Sequence, residues 1–466
     1  MDSTVTPKQI SLTLMVDRGR NRVLFAEAGK DFADVLLSFL TLPLGTIARL
    51  VSKGSNLKAV RFGCISSLYE SVGNLDRKYF CTNTCKEMLL MTRNTMEAHC
   101  GNLKINIDDT VPTKYFICPK LNVESATIVI LDDLSVIIDN SFASLDLLRS
   151  WGIKDAPKEL TVNITQNEVL DLLKCALLSK ASLTDLFLNK KKQYSVNNEV
   201  EDSYCLMNSE AVKDTKVKLK VKVTVKKSNG KVMYAKVEND FVDLLFSFLT
   251  LPVGTLEHIL GGDSCLGWLS KLYTSVVDLN AKFFDSMDLK EMIINPEESM
   301  DLKQMLINPE VALHFKVTSK FLKVRKVTHP KYCCRTKSDR NGTSSSLTSA
   351  FKQYGCATSS SNDCKVRSRV KLVDHPKKFD EVGAFVKGVS MFMVTDDLVV
   401  KPFSLSSIVS YLNESNVDFD DLEERIIYVS VKEVMAILKA SLNSSSALTT
   451  VLSPLFTSTK RIKVEK

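Results

Sequence analysis

The stretch DFADVLLSFLTLPLGT, residues 31–46, returns as DFVDLLFSFLTLPVGT, residues 240–255, with twelve of sixteen residues identical. Slid back so that Asp240 covers Asp31, the second half lays residues 221–255 over 12–46 without a gap. Further on, LYESVGNLDRKYF (68–80) matches LYTSVVDLNAKFF (272–284), and Lys86-Glu87-Met88 matches Lys290-Glu291-Met292. ILDDLSVI around Asp132-Asp133 parallels VTDDLVVK around Asp396-Asp397. NEVLDLLKCALLSKASLTDL, from Asn167, parallels KEVMAILKASLNSSSALTTV, from Lys432. Agreement in one order along both halves marks an internal duplication. We divide the chain into a first unit (1–190), a polar linker (191–214), a second unit (215–457) and a basic tail (458–466). The second unit carries an insertion at 287–312, where MDLKEMIINPEES is followed by MDLKQMLINPEVA. It also carries a Cys/Ser/Lys-rich stretch at 331–374, whose composition predicts an irregular loop.

Each unit opens with a predicted hairpin. Leu12, Leu14 and Val16 alternate with polar or flexible neighbours, Gly19 marks the turn, and Val23 and Phe25 alternate on the return. In the second copy the turn is written Asn229-Gly230, residues that tolerate positive φ. In the repeated stretch, Phe32, Val35, Leu36, Phe39 and Leu40 share one helix face. Asp31 stands where an N-cap belongs, and Pro43 and Gly45 end the segment. Only Asp34, Ser38 and Thr41 interrupt the apolar character, so the helix is expected to be buried. Predicted elements then follow at 68–80 (helix), around the Asp-Asp pair (hairpin), 145–151 (helix), 160–164 (strand) and 167–178 (helix). Strands and helices mix without regular alternation, which predicts the α+β class.

The 466 residues, 44% hydrophobic and 25% charged, suit two globular units with ordinary cores. The polar start MDSTVTPKQI lacks the pattern of a signal peptide. The longest apolar run, 35–51, is broken by Pro43, Gly45 and Arg49, short of a transmembrane segment. An intracellular protein of cytoplasm or nucleus is therefore expected, its twelve cysteines reduced. The sequons at Asn163, Asn341, Asn413 and Asn443 are then unglycosylated. A net charge of +8 permits an acidic partner without requiring one.

The pieces NRVLFAEAGKDF, SFLTLPLGT, LYESVGNLD, CKEML, LKINIDDT, KYFIC, the DDL hairpin and LLKCALLSKASLTDLF together resemble a plant family known as the domain of unknown function 674. They span most of 12–187 and recur in weaker form over 221–455. The resemblance implies a plant protein and brings no catalytic residues with it. Members of that family tend to carry a cysteine-bearing insert before the DDL hairpin. The first unit here has nearly lost it, whereas the second retains Cys333, Cys334, Cys356 and Cys364 without tight cysteine pairs.

Those four thiols, flanked by His329 and His375, are the candidate ligands of a structural zinc, although C-x₂-C spacing is absent. Cys81, Cys85, His99 and Cys100 form a looser group, read as partly buried thiols. The pairs Asp108-Asp109, Asp132-Asp133, Asp396-Asp397 and Asp420-Asp421 suit turns better than acid–base work, because strand neighbours face opposite ways. In KVKLKVKVTVKK, Lys216, Lys218, Lys220 and Lys222 take one strand face, and Val217, Leu219, Val221, Val223 and Val225 the other. That ladder is a candidate anion contact for phosphates, or else the guard of an edge strand, with no aromatic residue interleaved along it. Phosphate-loop, dinucleotide, nucleophile-elbow and zinc-protease motifs are missing, and the five histidines are not paired in spacing.

These features favour a non-enzymatic protein-interaction module, two homologous units packed as a pseudo-dimer with the cysteine-bearing loop on the second, and an unidentified protein as its partner. Two alternatives stay open: a nucleic-acid-associated protein using the lysine face, with or without zinc, and an enzyme with a dispersed site.

Overall fold

The computed structural model describes residues 8–96, 100, 103–108, 128–138, 157–179, 181–189, 217–262, 264, 266–279, 302–309, 311, 320–322, 324, 332–338, 342–348, 366–368, 384–387 and 390–462. The first unit runs β1 (Ile10–Asp17), β2 (Arg22–Ala28), α1 (Lys30–Ser38), α2 (Leu44–Val51), α3 (Gly63–Asn74), α4 (Asn83–Leu90), β3 (Ile128–Leu131), β4 (Val136–Ile138), β5 (Lys158–Ile164), α5 (Gln166–Leu178) and α6 (Ser182–Phe187). The second runs β6 (Leu219–Lys226), β7 (Val232–Glu238), α7 (Asn239–Phe248), α8 (Val253–Ile259), α9 (Trp268–Asp278), α10 (Leu302–Ile307), β8 (Tyr332–Ser338), β9 (Gly342–Thr348), β10 (Val366–Ser368), β11 (Met391–Thr395), β12 (Val400–Pro402), α11 (Leu405–Glu414), β13 (Leu422–Val429), α12 (Val431–Asn443) and α13 (Ala447–Ile462). Each unit builds an antiparallel five-stranded sheet of the same topology, β4-β3-β2-β1-β5 and β12-β11-β7-β6-β13. The fold is α+β and duplicated, as the sequence predicts.

The opening hairpins form where the alternation places them. Ile10, Leu12, Leu14 and Val16 point into the core. Asp17 accepts from the backbone N–H groups of Gly19 (2.8 Å) and Arg20 (3.1 Å), closing the turn. Positive φ falls on Asn21 in this turn and on Gly230 in the other. A bulge between Met15 and Val16 shifts the register, so Val23 faces the core while Phe25 lies opposite Met15, outside the main core. The second hairpin has its bulge at the matching place, between Thr224 and Val225.

In the repeated stretch, Phe32, Val35, Leu36, Phe39 and Leu40 are at most 1% exposed. Burying each contributes about 1.5–3 kcal/mol. Two details differ from the sequence reading. Gly29, not Asp31, is the N-cap of α1; Asp31 supplies first-turn charge and pairs with Lys104 at 3.2 Å. Ser38 and Thr41 are buried as well, their hydroxyls donating to the carbonyls of Val35 and Ser38 at 2.7 Å each. The polar strip left for solvent is narrow, formed by Asp31 and Asp34.

Nor do Pro43 and Gly45 merely end a helix. A short 3₁₀ turn (Phe39–Thr41) follows α1, Pro43 then caps α2, and Gly45 lies inside it. The two copies of this segment pair with each other. Pro43 and Pro252 form an antiparallel bridge, and the N–H groups of Leu44, Gly45 and Val253 donate to the carbonyls of Leu251 (2.9 Å), Leu249 (2.8 Å) and Leu42 (3.1 Å). A Cβ on Gly45 would sit 3.1 Å from the Leu249 carbonyl and from Thr92, so glycine permits the close approach. The phrase is written twice because each copy is the other's partner.

Helices α3 and α9 deepen this exchange. Ser71 of α3 accepts from Val400 N in β12 (2.9 Å), and Cys64 donates to the Ser444 carbonyl behind α12 (2.9 Å). Reciprocally, Ser275 of α9 accepts from Val136 N in β4 (3.1 Å). Gly63 and Gly267, both at positive φ, open these helices against backbone carbonyls of the opposite unit, Ser441 and Ala176 respectively. The middle helix of each unit thus completes the other. One hydrophobic cluster runs through both.

Elsewhere composition misled. Within 331–374, β8, β9 and β10 make a three-stranded antiparallel sheet rather than an irregular loop; main-chain pairing needs no apolar alternation. The tail begins later than expected, since α13 runs to Ile462 through Pro454. Lys303 of the second tandem copy does what Lys86 does in the first unit, and Lys290 lies outside the described residues. Lys86 reaches the carbonyls of Gly73 (2.8 Å) and Leu75 (2.6 Å), and Lys303 those of Val277 (2.7 Å) and Leu279. The linker (191–214) and the predicted helix at 145–151 lie outside the described residues.

Candidate functional site

The Asp-Asp pairs of the DDL hairpins are turns, as expected, and their first members have a second task. Asp132 accepts from Thr184 N and Oγ1 (2.9 Å each) and from Arg22 Nε (2.9 Å). Asp396 accepts from Thr449 N and Oγ1 (2.7 Å each), and burial raises its pKa. Each carboxylate anchors the start of its unit's last helix, whose threonine in turn accepts from Val23 N or Val232 N (2.8 and 2.9 Å). Asp421 accepts from Ser228 N and Oγ, which lower its pKa. Asp108 sits buried 3.7 Å from Arg49, and Asp109 lies outside the described residues.

Three constellations could carry chemistry. The first joins Ser55, Asp171 and Lys174. Lys174 is fully buried on α5 and donates to Ser55 Oγ (2.5 Å) and the Leu57 carbonyl (3.1 Å), while Ser55 donates to Asp171 Oδ1. Burial lowers the lysine pKa, and Asp171 opposes that shift. A serine between lysine and carboxylate could be a nucleophile. Here its proton is committed to Asp171 and its oxygen to the ammonium, which describes a clamp on the 55–57 loop. The second unit repeats it with other parts: Ser264 and Ser270 (2.6 Å) both donate to Glu257 Oε1 from α8. What both copies share is a loop serine held by a buried carboxylate.

The second centres on Asp243 of α7, 1% exposed. Its Oδ1 accepts from Phe385 N (2.9 Å) and Val386 N (2.8 Å), and Oδ2 has no partner among the described residues. Burial pushes its pKa up to about 7, against the two amide bonds. The segment it holds also pairs with the first unit, since Val386 bridges Phe80 and the Phe385 carbonyl accepts from Cys81 N (2.8 Å). Desolvation raises the Cys81 thiol to about 11 and raises that of Cys85 too. Protonated, packed thiols are neither nucleophiles nor ready metal ligands. Cys100 is set against Thr41 and Asn94 instead, apart from Cys81 and Cys85, and His99 lies outside the described residues. No cluster of three metal-binding side chains occurs among the described residues.

The third is the lysine face. β6 is an interior strand, flanked by β7 and β13, which corrects the reading of its lysines as guards of an edge. Val221, Val223 and Val225 fill the core, while Lys218 and Lys220 are exposed and Lys222 is half-exposed, 2.5 Å from Glu424. Lys216 lies outside the described residues. Cross-strand register puts Tyr428 opposite Lys220 and Ile426 opposite Lys222. Both are exposed, at 60% and 54%. The aromatic side chain that is missing along β6 is thus supplied by its neighbour. The parity of RIIYV, where Ile427 and Val429 are buried and Ile426 and Tyr428 are not, is the signal in the sequence. On the far side of this outer face, α11 packs Leu412 over Met233, Tyr234 and Met393, and Tyr411 donates to the Met233 carbonyl (3.0 Å). That cover reaches Leu422 at the start of β13, and beyond it Lys218, Lys220, Ile426 and Tyr428 stay exposed.

Of the proposed zinc ligands, Cys333 and Cys334 are successive residues of β8, paired in register with Leu347 and Ser346 of β9. Cys356 and Cys364 lie outside the described residues. Among the described residues no helix is long and apolar enough to cross a membrane. No curated protein and no solved structure matches the chain. The model of one family, described as "Protein of unknown function (DUF674)", matches residues 6–126, 121–430 and 289–466. The duplicated chain therefore belongs to the DUF674 family.

Proposed function

We propose that this is a non-enzymatic intracellular interaction protein, and that its docking surface is the exposed face of β6 and β13 around Lys220 and Tyr428. The observation that supports this is an asymmetry between two otherwise equivalent faces. At the places of Lys220, Lys222, Ile426 and Tyr428 the first unit has Ser11, Thr13, Thr161 and Asn163, paired in the same register. One copy keeps a polar face, while the other exposes two large apolar side chains beside lysines. Covering Ile426 and Tyr428 would contribute about 1.5–3 kcal/mol each, the usual scale of an interface anchor. The interlocked scaffold holds that face rigid, so little ordering cost is left for binding.

Affinity purification of the tagged protein from its own tissue, with and without nuclease, tests this reading. A near-stoichiometric, nuclease-resistant partner, lost with the Ile426→Ser/Tyr428→Ser variant, is the expected result. One observation favours a second reading: a lysine opposite an exposed tyrosine can pair phosphate contact with base stacking. Recovery abolished by nuclease would support it and sink the first.

A further inference from the structure

Resting on that docking surface, we propose that the occupant is an extended acidic segment of a partner protein, added as a strand along β13 with its carboxylates over the row Lys218, Lys220 and Lys222. β13 ends the order β12-β11-β7-β6-β13, so among the described residues no strand pairs with its outer side. Its eight residues are more than the commonest strand length of about five or six, and it contains no proline. Exposed edges are commonly blunted by charge, proline or a bulge. β13 carries its charges in its first half, where Glu423 pairs with Arg425 and Glu424 with Lys222; beyond them it turns Ile426 and Tyr428 outward on one face, and its bulge-free register with β6 runs from Leu422 to Val429.

A strand laid on that edge sits about 4.8 Å from β13, and its outward side chains become neighbours of Ile426 and Tyr428. Lysine stems from β6 reach over those apolar groups and present their ammonium ends to the added chain. Charge selects the partner. Lys222 already holds one carboxylate, that of Glu424 at 2.5 Å, so the row is shaped for carboxylates. Lys218 and Lys220 are exposed, and no salt bridge holds either among the described residues. A basic segment would be repelled. Single-stranded nucleic acid would find one aromatic platform where successive bases want several. The combination of an open strand edge, apolar pegs at alternate positions and a lysine row is that of strand addition.

The test uses the full-length protein and three probes: a blocked peptide of roughly seven residues alternating glutamate and valine, its lysine–valine counterpart, and a uridine 12-mer. The glutamate–valine peptide should bind at low salt and protect the β13 amides from hydrogen exchange. Lys218→Glu/Lys220→Glu should weaken that binding by roughly tenfold or more, and Ile426→Ser/Tyr428→Ser likewise, with thermal unfolding unchanged. Absence of β13 protection at millimolar peptide would overturn the proposal. So would equal binding of the lysine–valine peptide, tighter binding of the uridine 12-mer, or self-association of the protein that occupies the same edge. A nuclease-resistant partner recovered from tissue despite such a result would leave the interaction reading standing and remove only this account of its partner.

Discussion

At the residue scale, duplication lets one position be seen in two environments. Asp34 and Asp243 are equivalent, yet Asp34 is half-exposed and 3.1 Å from Lys30, whereas Asp243 is buried beneath residues 385–386. Its pKa of about 7 in the folded protein stands above the ordinary 3.8. The folded state therefore holds the proton more tightly than the unfolded chain does. Its contribution to stability is complete below about pH 4 and is lost as pH rises through 7. A shift of this size corresponds to at most about 4 kcal/mol. The nearby charges are Asp240, which raises the Asp243 pKa, and Lys387, which acts on Cys81; the Cys81 thiol, at about 11, stays protonated across this window. Wild-type protein should lose stability to urea between pH 5 and 8.5, by at most about 3 kcal/mol, while Asp243→Asn should show a flatter profile. Parallel profiles would mean that Asp243 does not titrate there. The thiols of the second unit allow a simpler measurement. A structural zinc held by Cys333, Cys334, Cys356 and Cys364 requires about one metal per purified chain, and elemental analysis below about 0.2 would end that proposal.

At the element scale, the two glycines of α3 separate packing from propensity. Gly63 opens the helix at φ +47°, and a Cβ there would lie within 2.6 Å of the Ser441 and Leu442 carbonyls. Backbone cannot step aside cheaply. Gly63→Ala should cost at least about 2–4 kcal/mol, combining left-handed strain with overpacking. Gly73, near the other end, has nothing within 4 Å, so Gly73→Ala should be neutral or stabilise by up to about 1 kcal/mol. Thermal unfolding of the two variants side by side checks both signs. The same contrast explains what was legible in the sequence. Elements whose form depends on their own periodicity, such as β1, the buried face of α1 and the helix α5, could be read directly. Features created by contact between distant residues could not. Gly45 looks like a helix terminator until Leu249 is seen against it, and Lys220 lacks an aromatic neighbour until β13 supplies Tyr428. The sheet of β8, β9 and β10 was hidden for a related reason: Ser- and Lys-rich strands carry no apolar alternation to announce them.

At the scale of the molecule, the two units are exchanged rather than adjoined. Ser71 serves Val400, and Ser275 serves Val136, so each sheet is finished by a helix from the other unit. This has a consequence for either unit alone. Residues 1–190 in isolation keep β1–β5 but lose α9, leaving β4 and the end of α5 uncovered, while α3 loses β12 and α12. A second copy of the same unit can repair both defects. Its Ser71 stands where Ser275 stood against Val136, and its Gly63 where Gly267 met the Ala176 carbonyl. The isolated first unit should therefore be a two-fold dimer whose thermal midpoint rises with protein concentration, because folding and association are one event. Light scattering together with unfolding at several concentrations checks this. A stable monomer with a concentration-independent midpoint would show that α3 folds back onto its own sheet and that the exchange is dispensable. The dimer would show more than stability. It would mean that the repeated phrase evolved as a self-complementary contact between two identical chains. Fusing those chains would then have freed one sheet face, that of Lys220 and Tyr428, to diverge from its twin.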